Sequence, residues 1–303
     1  MNKKETSSVR PWWSITLVLI LYTIFLLVPS VVLNLLAANN PNVATWYLNN
    51  IANFWLITFA LIGVLWLFVV PLLKIPEGNR SYRTYIDSIK LTKFKPVVKT
   101  VGLGLLVGGI MLCFIVFAGW LEAKTTGGLQ GFFGNLLINE AVPLNVYYAL
   151  SPGIWEEVAF RGVIFALLIK KYSQKKTIFI NGLLFGLFHL VNLTTLFFYW
   201  GAEGSFILGF LFSVLFQVVY ATCIGILLAY IFSKTKSLIT VILVHYLIDA
   251  FITFLAFVIH FPSPSMSDLL IRLTLMTTIG VGIAPALVCF LIVYLVYKKW
   301  PSK

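Results

Sequence analysis

Long, continuous apolar segments are the feature that most constrains how this chain of 303 residues can fold. Eight segments are each near or above the ~20 residues that a helix needs to cross a bilayer. They are 12–37, 52–73, 97–121, 143–169, 177–200, 205–233, 237–260 and 273–297. The apolar residues run on without the alternation of a barrel strand, which favours helices. The sequence therefore predicts an all-α, polytopic membrane protein with about eight transmembrane helices.

The composition agrees with a membrane protein and excludes an ordinary soluble domain. Only 11% of the residues are charged, whereas soluble domains carry roughly 25%. No shift in composition and no linker divides the chain, so we expect a single membrane-embedded domain over 1–303. The basic N-terminus leads into 12–37, an apolar stretch too long for a signal peptide, which we interpret as an uncleaved first span.

The basic residues predict the orientation of the helices. If both termini are cytoplasmic, the inside segments together with Lys99 hold 19 of the 22 Lys and Arg residues, which is the positive-inside pattern. The net charge of +12 is then a consequence of topology, and nucleic-acid binding is not needed to explain it. The basic segment 74–99 can be either an interfacial helix on the inner headgroups or a solvated loop.

A few ionisable residues lie inside the apolar segments, where they are costly. They are Glu156, Glu157, Arg161, His189, His245 and Asp249. A charge at the centre of a bilayer costs from about 2.5 to more than 10 kcal/mol, so such groups have to be paired or hydrated. An ionisable residue in this setting indicates a functional site by default.

Spacing and depth group these residues. Three pairs are four residues apart and so share a helix face: Glu157 with Arg161, Phe185 with His189, and His245 with Asp249. Glu156 lies about 100° around an α-helix from Glu157. Depth can be measured from the predicted cytoplasmic end of each span, at ~1.5 Å per residue. The depth is roughly 21 Å for Glu156, 18 Å for His189, 12 Å for His245 and 18 Å for Asp249. We therefore expect one buried site. The Glu157–Arg161 pair can equally have a purely structural role as an ion pair within the bundle. We expect Phe185 to serve in packing.

A carboxylate and an imidazole that face each other can hold and deprotonate a water molecule, and a second imidazole can donate to a developing oxyanion. Two His and a carboxylate are also a metal-ligand set, but the H-E-x-x-H pattern of zinc proteases is absent. No nucleophile-elbow Ser occurs, and no Cys stands beside either His. We therefore favour a metal-free hydrolytic site without a cofactor.

Three motifs in order resemble the CAAX-protease and bacteriocin-processing (Abi) family of intramembrane endopeptidases. E-E-x-x-x-R is found at Glu156–Arg161, F-x-x-x-H at Phe185–His189, and H-x-x-x-(N/D) at His245–Asp249. Each motif alone is weak, but all three in order within spans are a strong signal. The resemblance implies that 140–260 is the catalytic core of an intramembrane glutamic endopeptidase.

The resemblance also implies roles for single residues. Glu156 would be the general base, with His189 holding the attacking water. Glu157 would pair with Arg161 and brace the site, while His245 and Asp249 would form the oxyanion pocket. An ionised Asp cannot donate a hydrogen bond, so Asp249 would have to be protonated or act by orienting His245. Expected partners are membrane lipids and a peptide or membrane-anchored protein substrate, and the expected location is a bacterial plasma membrane.

Two other functions compete with this hypothesis. A non-catalytic membrane scaffold or bacteriocin-immunity protein would keep the same motifs as structural polar groups. A transporter would use the buried Glu, His and Asp to relay protons. Against a transporter, the sequence shows no matching pair of broken helices; only Pro152-Gly153 indicates an irregular helix.

Overall fold

The computed structural model describes residues 11–76, 81–93, 96–125, 149–198, 204–258 and 266–299. Every regular element in these ranges is helical, so the predicted all-α class is confirmed. The α-helices are α1 (Pro11–Asn39), α2 (Pro41–Asn49), α3 (Ile51–Val64), α4 (Val70–Leu72), α5 (Tyr82–Ser88), α6 (Val97–Thr125), α7 (Phe165–Leu168), α8 (Gln174–Phe188), α9 (Gly204–Thr235), α10 (Leu238–Val258), α11 (Met266–Leu275) and α12 (Ile283–Lys299).

Six helical stretches are long and apolar enough to cross a membrane. They are Pro11–Ala37, Ala52–Leu72, Val97–Thr125, Gln174–Thr194, Ile207–Thr235 and Asp268–Lys298, and each overlaps one predicted span. Of the remaining two predictions, 237–260 is represented by the shorter apolar helix Leu238–Phe251. Part of 143–169 lies outside the described residues. The count of eight and the cytoplasmic termini therefore stay predictions.

The outer face of α1 is the kind of surface that lipid, rather than water, covers. Trp13 and Ile20 are 69% and 52% exposed, while Val18 and Tyr22, on the opposite face, are almost fully buried. Exposed apolar residues follow at helical spacing along this face. A contiguous apolar surface of this kind on a soluble monomer would be an aggregation hazard. The bundle is therefore built to expose apolar side chains to the hydrocarbon core.

Non-α turns interrupt the helices at several points. Wide π-helical turns span Leu65–Val69, Pro152–Glu156, Val158–Ile164 and Met276–Gly280. A 3₁₀ segment, His189–Phe198, continues α8. Such turns are uncommon and often mark functional sites. Two of the π segments flank Glu157, and the 3₁₀ segment begins at His189, so two of the three motifs lie where the helix geometry changes.

The segment from Val158 to Leu168 runs through the centre of the bundle. Most of its side chains are fully buried, including Phe160 and Arg161. Helices α8 and α9 pack along one another beside it. At their crossing a Cβ on Gly225 would lie 2.9 Å from the Cα of Gly182, so only glycine permits this backbone approach. The close crossing brings the Gly225 carbonyl toward the central segment.

Within the basic segment 74–99, the described residues 81–93 pack against the bundle. They contain α5, and Tyr85 of this helix and Ile89, which follows its last residue, are fully buried. The Tyr85 hydroxyl donates a 2.6 Å hydrogen bond to the carbonyl of Trp66. A helix is present over Tyr82–Ser88, and the interfacial helix and the solvated loop both stay predictions for the whole segment. Its position relative to a membrane surface stays a prediction.

Candidate active site

The helical segment that bears Glu156 and Glu157 lies against α10 because a glycine lets the two backbones meet. A Cβ on Gly153 would lie 3.1 Å from both Cα and Cβ of Tyr246, closer than ordinary van der Waals contact. Tyr246 follows His245 on α10. The close approach at Gly153 therefore sets the distance between the glutamates and His245.

Glu157 is the centre of a buried ionic network. Its Oε1 atom accepts a 2.8 Å hydrogen bond from Nη1 of Arg161 and lies 2.7 Å from Nδ1 of His245. The side chains of Glu157 and Arg161 have no exposed surface. Arg161 also donates from Nη2 to the carbonyl of Gly225 at 3.1 Å. Two donors converge on one carboxylate oxygen, so Glu157 is held in one position.

Three carboxylates surround the imidazole of His245. Nδ1 contacts Glu157, while Nε2 lies 3.3 Å from Oδ2 of Asp249 and 3.9 Å from Oε2 of Glu156. A carboxylate only accepts hydrogen bonds, so Nδ1 carries a proton that it donates to Glu157. Nε2 also faces carboxylate oxygens, so a proton on that nitrogen would be donated toward Asp249. His245 is thus oriented from one side, and its Nε2 faces Glu156 and Asp249.

Both glutamates therefore meet the same imidazole, on different nitrogens. In an α-helix adjacent residues point about 100° apart. The turns around Glu157 are π-helical, with i to i+5 hydrogen bonds and a wider turn, which reduces the rotation between successive residues. This local geometry lets Glu156 and Glu157 lie on two sides of His245.

Glu156 differs from Glu157 in its surroundings. Oε2 is buried and has no hydrogen-bond partner among the described residues in Glu157 as well as in Glu156. The difference is in the exposure of Glu156. Its side chain is 17% exposed and that of Asp249 is 28%, compared with 0% for Glu157. The accessible side of the site is therefore formed by Glu156 and Asp249, and the closed side by Glu157 and Arg161.

The ring of Phe185 joins the three motifs. The guanidinium carbon of Arg161 lies 4.3 Å from its centroid, a cation–π distance. His189 and His245 meet the same ring edge-on, with centroid separations of 5.0 and 5.7 Å. Phe185 packs, as expected, but its neighbours are the charged and polar groups of the site rather than other core residues alone.

His189 is fixed by its own helix. Its Nδ1 lies 2.9 Å from the carbonyl of Phe185, and a carbonyl only accepts, so the proton is on Nδ1. This tautomer leaves Nε2 as an acceptor. His189 lies within electrostatic range of Glu156. All seven residues that the motifs nominate therefore lie in one connected region of the described structure.

Some polar residues near the site carry no motif and were missed by the sequence reasoning. Asn181, which is fully buried, donates a 2.7 Å hydrogen bond to the carbonyl of Phe160 and ties α8 to the glutamate segment. Tyr22 of α1 lies within electrostatic range of both glutamates and stacks on Phe188 at 5.1 Å. Polarity inside an apolar span was a signal for Asn181; nothing in the sequence distinguished Tyr22.

The acidic and imidazole groups point at one another rather than at a common empty point. Among the described residues, no three His, Cys, Asp or Glu side chains are arranged as ligands of one metal ion. The metal-free site stays a prediction, which a chelation experiment tests below.

Comparison with known families supports the reading of the three motifs. Residues 138–251 match the family described as type II CAAX prenyl endopeptidase Rce1-like. The resemblance predicted from the motifs is thereby confirmed for this segment, which contains every nominated residue. No curated protein and no solved structure matches the chain.

Proposed function

We propose that this chain, whose segment 138–251 matches the CAAX endopeptidase family, is an intramembrane endopeptidase that hydrolyses a peptide bond with a water activated by Glu156 and His189. The observation that carries the proposal is the unequal state of the two adjacent glutamates. Glu157 is held by Arg161 and His245. Glu157 has no exposed side-chain surface, whereas the side chain of Glu156 is 17% exposed.

A general base needs a lone pair directed at its substrate proton, and it needs access to water. Glu156 meets both requirements, because its Oε2 accepts no hydrogen bond from the described residues and its side chain is partly exposed. Oε2 of Glu157 also accepts none, but this side chain is fully buried and its Oε1 is held by two donors, so it lacks access to water. We therefore assign Glu156 as the base and Glu157 as a positioning residue for His245.

The reaction follows from these positions. Water, held by Glu156 and by Nε2 of His189, attacks the carbonyl carbon of the substrate while Glu156 takes its proton. The carbonyl oxygen becomes an oxyanion, which Nε2–H of His245 stabilises. Glu156 then returns the proton to the amide nitrogen, the C–N bond breaks, and the remaining acid proton passes to the amine, so that a carboxylate and an ammonium group leave. No group on the protein is consumed.

Asp249 acts in this reaction by orienting His245. Its Oδ2 lies 3.3 Å from Nε2, so as a carboxylate it accepts from that nitrogen and orients the ring. An ionised Asp cannot itself donate to the oxyanion. We therefore propose that Asp249 positions His245, and that the single Nε2–H, which Asp249 accepts in the resting site, is shared with the oxyanion during the reaction.

The substrate class follows from where the site lies. A site enclosed by apolar helices favours a peptide that is itself membrane-associated, or the membrane-proximal part of an anchored protein. The basic loops place the termini in the cytoplasm under the positive-inside rule, and a bacterial plasma membrane is the location we propose.

The proposal is tested with the full-length protein reconstituted in liposomes. One probe is an internally quenched peptide with a farnesylated cysteine, and the other is peptide mass spectrometry of membranes from cells that express wild-type or variant protein.

Glu156→Gln should lower the cleavage rate by about 10² to 10⁴, the range for loss of a general base, with an unchanged melting temperature. The matched control is Glu122→Gln, since Glu122 is also buried but lies by Arg272; it should retain activity. Cleavage by Glu156→Gln at the wild-type rate refutes the proposal.

A non-catalytic scaffold or immunity protein is the second candidate, and one observation favours it. The Glu157–Arg161–His245 network is buried and internally paired, as a purely structural element would be. In that case Glu156→Ala and His189→Ala would both leave the cellular phenotype intact.

A further inference from the structure

A cavity away from the glutamates opens where α5, α7 and the end of α9 meet. It has a volume of about 240 Å³. Its walls are apolar and come from different helices: Phe165, Ala166, Ile169 and Phe232. Phe165 and Phe232 meet edge-on at 5.2 Å. The cavity is therefore a preformed apolar cleft between packed helices, and no residue of the proposed active site lines it.

Three lysines from separate parts of the chain line the same cavity: Lys90, Lys170 and Lys236. Of the described lining residues none is acidic. Partial burial, together with the positive charges of Lys93, Lys90 and Lys234, lowers the pKa of Lys236. An anion placed among these ammonium groups would relieve their mutual repulsion.

Two of these lysines have a strained backbone conformation. Lys90 and Lys236 have φ angles of 61° and 52°, the left-handed region in which glycine is the favoured residue. Such a conformation costs a non-glycine residue about 1 kcal/mol or more. At both positions the chain has a lysine in place of glycine, and both side chains line one cavity. Strain retained in this way is a reason to look for a function.

We propose that this cavity binds an anionic phospholipid, with the phosphate among Lys90, Lys170 and Lys236 and the first part of an acyl chain against the apolar walls. Basic pockets between transmembrane helices on the cytoplasmic side are suited to anionic headgroups. The combination of apolar walls and a basic rim fits an amphiphile better than a free anion, because a free phosphate would leave the apolar walls unused. The proposal does not depend on the peptidase function.

The test uses the full-length protein in detergent micelles and measures binding of fluorescent phosphatidylglycerol. Phosphatidylcholine is the zwitterionic comparison, and inorganic phosphate is the competitor that represents a free anion. We expect selective binding of phosphatidylglycerol, with competition by phosphate only at much higher concentration. Equal binding of the two lipids, or equal competition by phosphate alone, overturns the proposal.

The structure provides variants that remove charge without introducing strain. Lys90→Gly and Lys236→Gly each put glycine at a left-handed position, so both should fold. Together they should weaken phosphatidylglycerol binding by about 30-fold, from about 5-fold for each lysine near a membrane surface. Lys74→Gly is the matched control, since Lys74 has a φ of 57° but does not line the cavity; its affinity should change less than 2-fold. Wild-type affinity in the double variant, or an equal loss in Lys74→Gly, overturns the proposal. Lys170→Gln is a third variant, at a position without a positive φ, and it should weaken binding about 5-fold.

Discussion

Nδ1 of His245 lies 2.7 Å from Oε1 of Glu157, the same oxygen that accepts from Arg161. This contact joins α10 to the central glutamate segment across 88 residues of sequence. It also makes the two adjacent glutamates different, because it fixes Glu157 in a fully buried position while Glu156 stays partly exposed.

The network predicts that Glu157 matters for stability more than Glu156 does. Glu157→Gln leaves the buried Arg161 without its counter-ion, a change that typically costs about 3 to 5 kcal/mol. We expect a marked fall in melting temperature, measured by tryptophan fluorescence in micelles. Replacing both partners, in Glu157→Leu/Arg161→Leu, should cost less than the sum of the single changes, because no buried charge is left unpaired. Additive losses would show that the two residues do not act as a pair.

Asp249 should tolerate an amide but not an apolar side chain. The amide oxygen of Asp249→Asn can still accept from Nε2 of His245, so we expect kcat to fall by less than about 10-fold. Asp249→Leu removes the acceptor and should cost about 10², the lower range for loss of an oxyanion donor, because His245 is no longer oriented. Steady-state cleavage kinetics on both variants check this. If Asn proves as inactive as Leu, then the role of residue 249 requires a carboxylate.

Amide substitutions should distinguish the roles of the two ring nitrogens of His189. An Asn amide mimics Nδ1 and a Gln amide reaches the position of Nε2. Since Nδ1 is already used on the Phe185 carbonyl, we expect His189→Gln to retain at least about 10-fold more activity than His189→Asn, within the range that acid–base groups contribute. The comparison uses initial rates at saturating peptide. A reversed order would mean that the Nδ1 contact, rather than the water at Nε2, is what the site needs.

Gly153 should be intolerant of even a methyl group. Its Cβ would meet the backbone of Tyr246 at 3.1 Å, so Gly153→Ala must push α10 away and lengthen the contacts of His245. A displacement of about 1 Å at a catalytic group can cost about 10² in rate. Gly102→Ala is the control, because nothing lies within 4 Å of a Cβ there and alanine favours a helix by about 1 kcal/mol. Gly102→Ala should keep its activity and its melting temperature.

Chelation tests the prediction of a metal-free site. Cleavage by the purified protein should be unchanged after dialysis against EDTA and in the presence of 1,10-phenanthroline, because the proposed base and oxyanion donor are side chains. A loss of activity that zinc restores would assign the two histidines and a carboxylate to a metal instead.

Contacts within one helix turn were predictable from the sequence. The i,i+4 rule placed Glu157 beside Arg161 and His245 beside Asp249, and the ion pairs measure 2.8 and 3.3 Å. The wider π turns were not predictable, although Pro152-Gly153 indicated an irregular helix. Consequently the sequence did not predict that both glutamates, about 100° apart on an α-helix, would lie within ion-pair distance of His245.

The apolar segments and the three motifs by themselves determined the all-helical membrane class, the family resemblance and the identity of the polar residues, because hydrophobic runs and i,i+4 spacing are local properties. Only the tertiary structure decided which glutamate is occupied and which is available. That distinction depends on the packing of Gly153 against Tyr246 and of Gly182 against Gly225, which brings His245 and the Gly225 carbonyl to the central segment. Contacts between distant helices depend on how closely two backbones approach, and no local pattern encodes that distance.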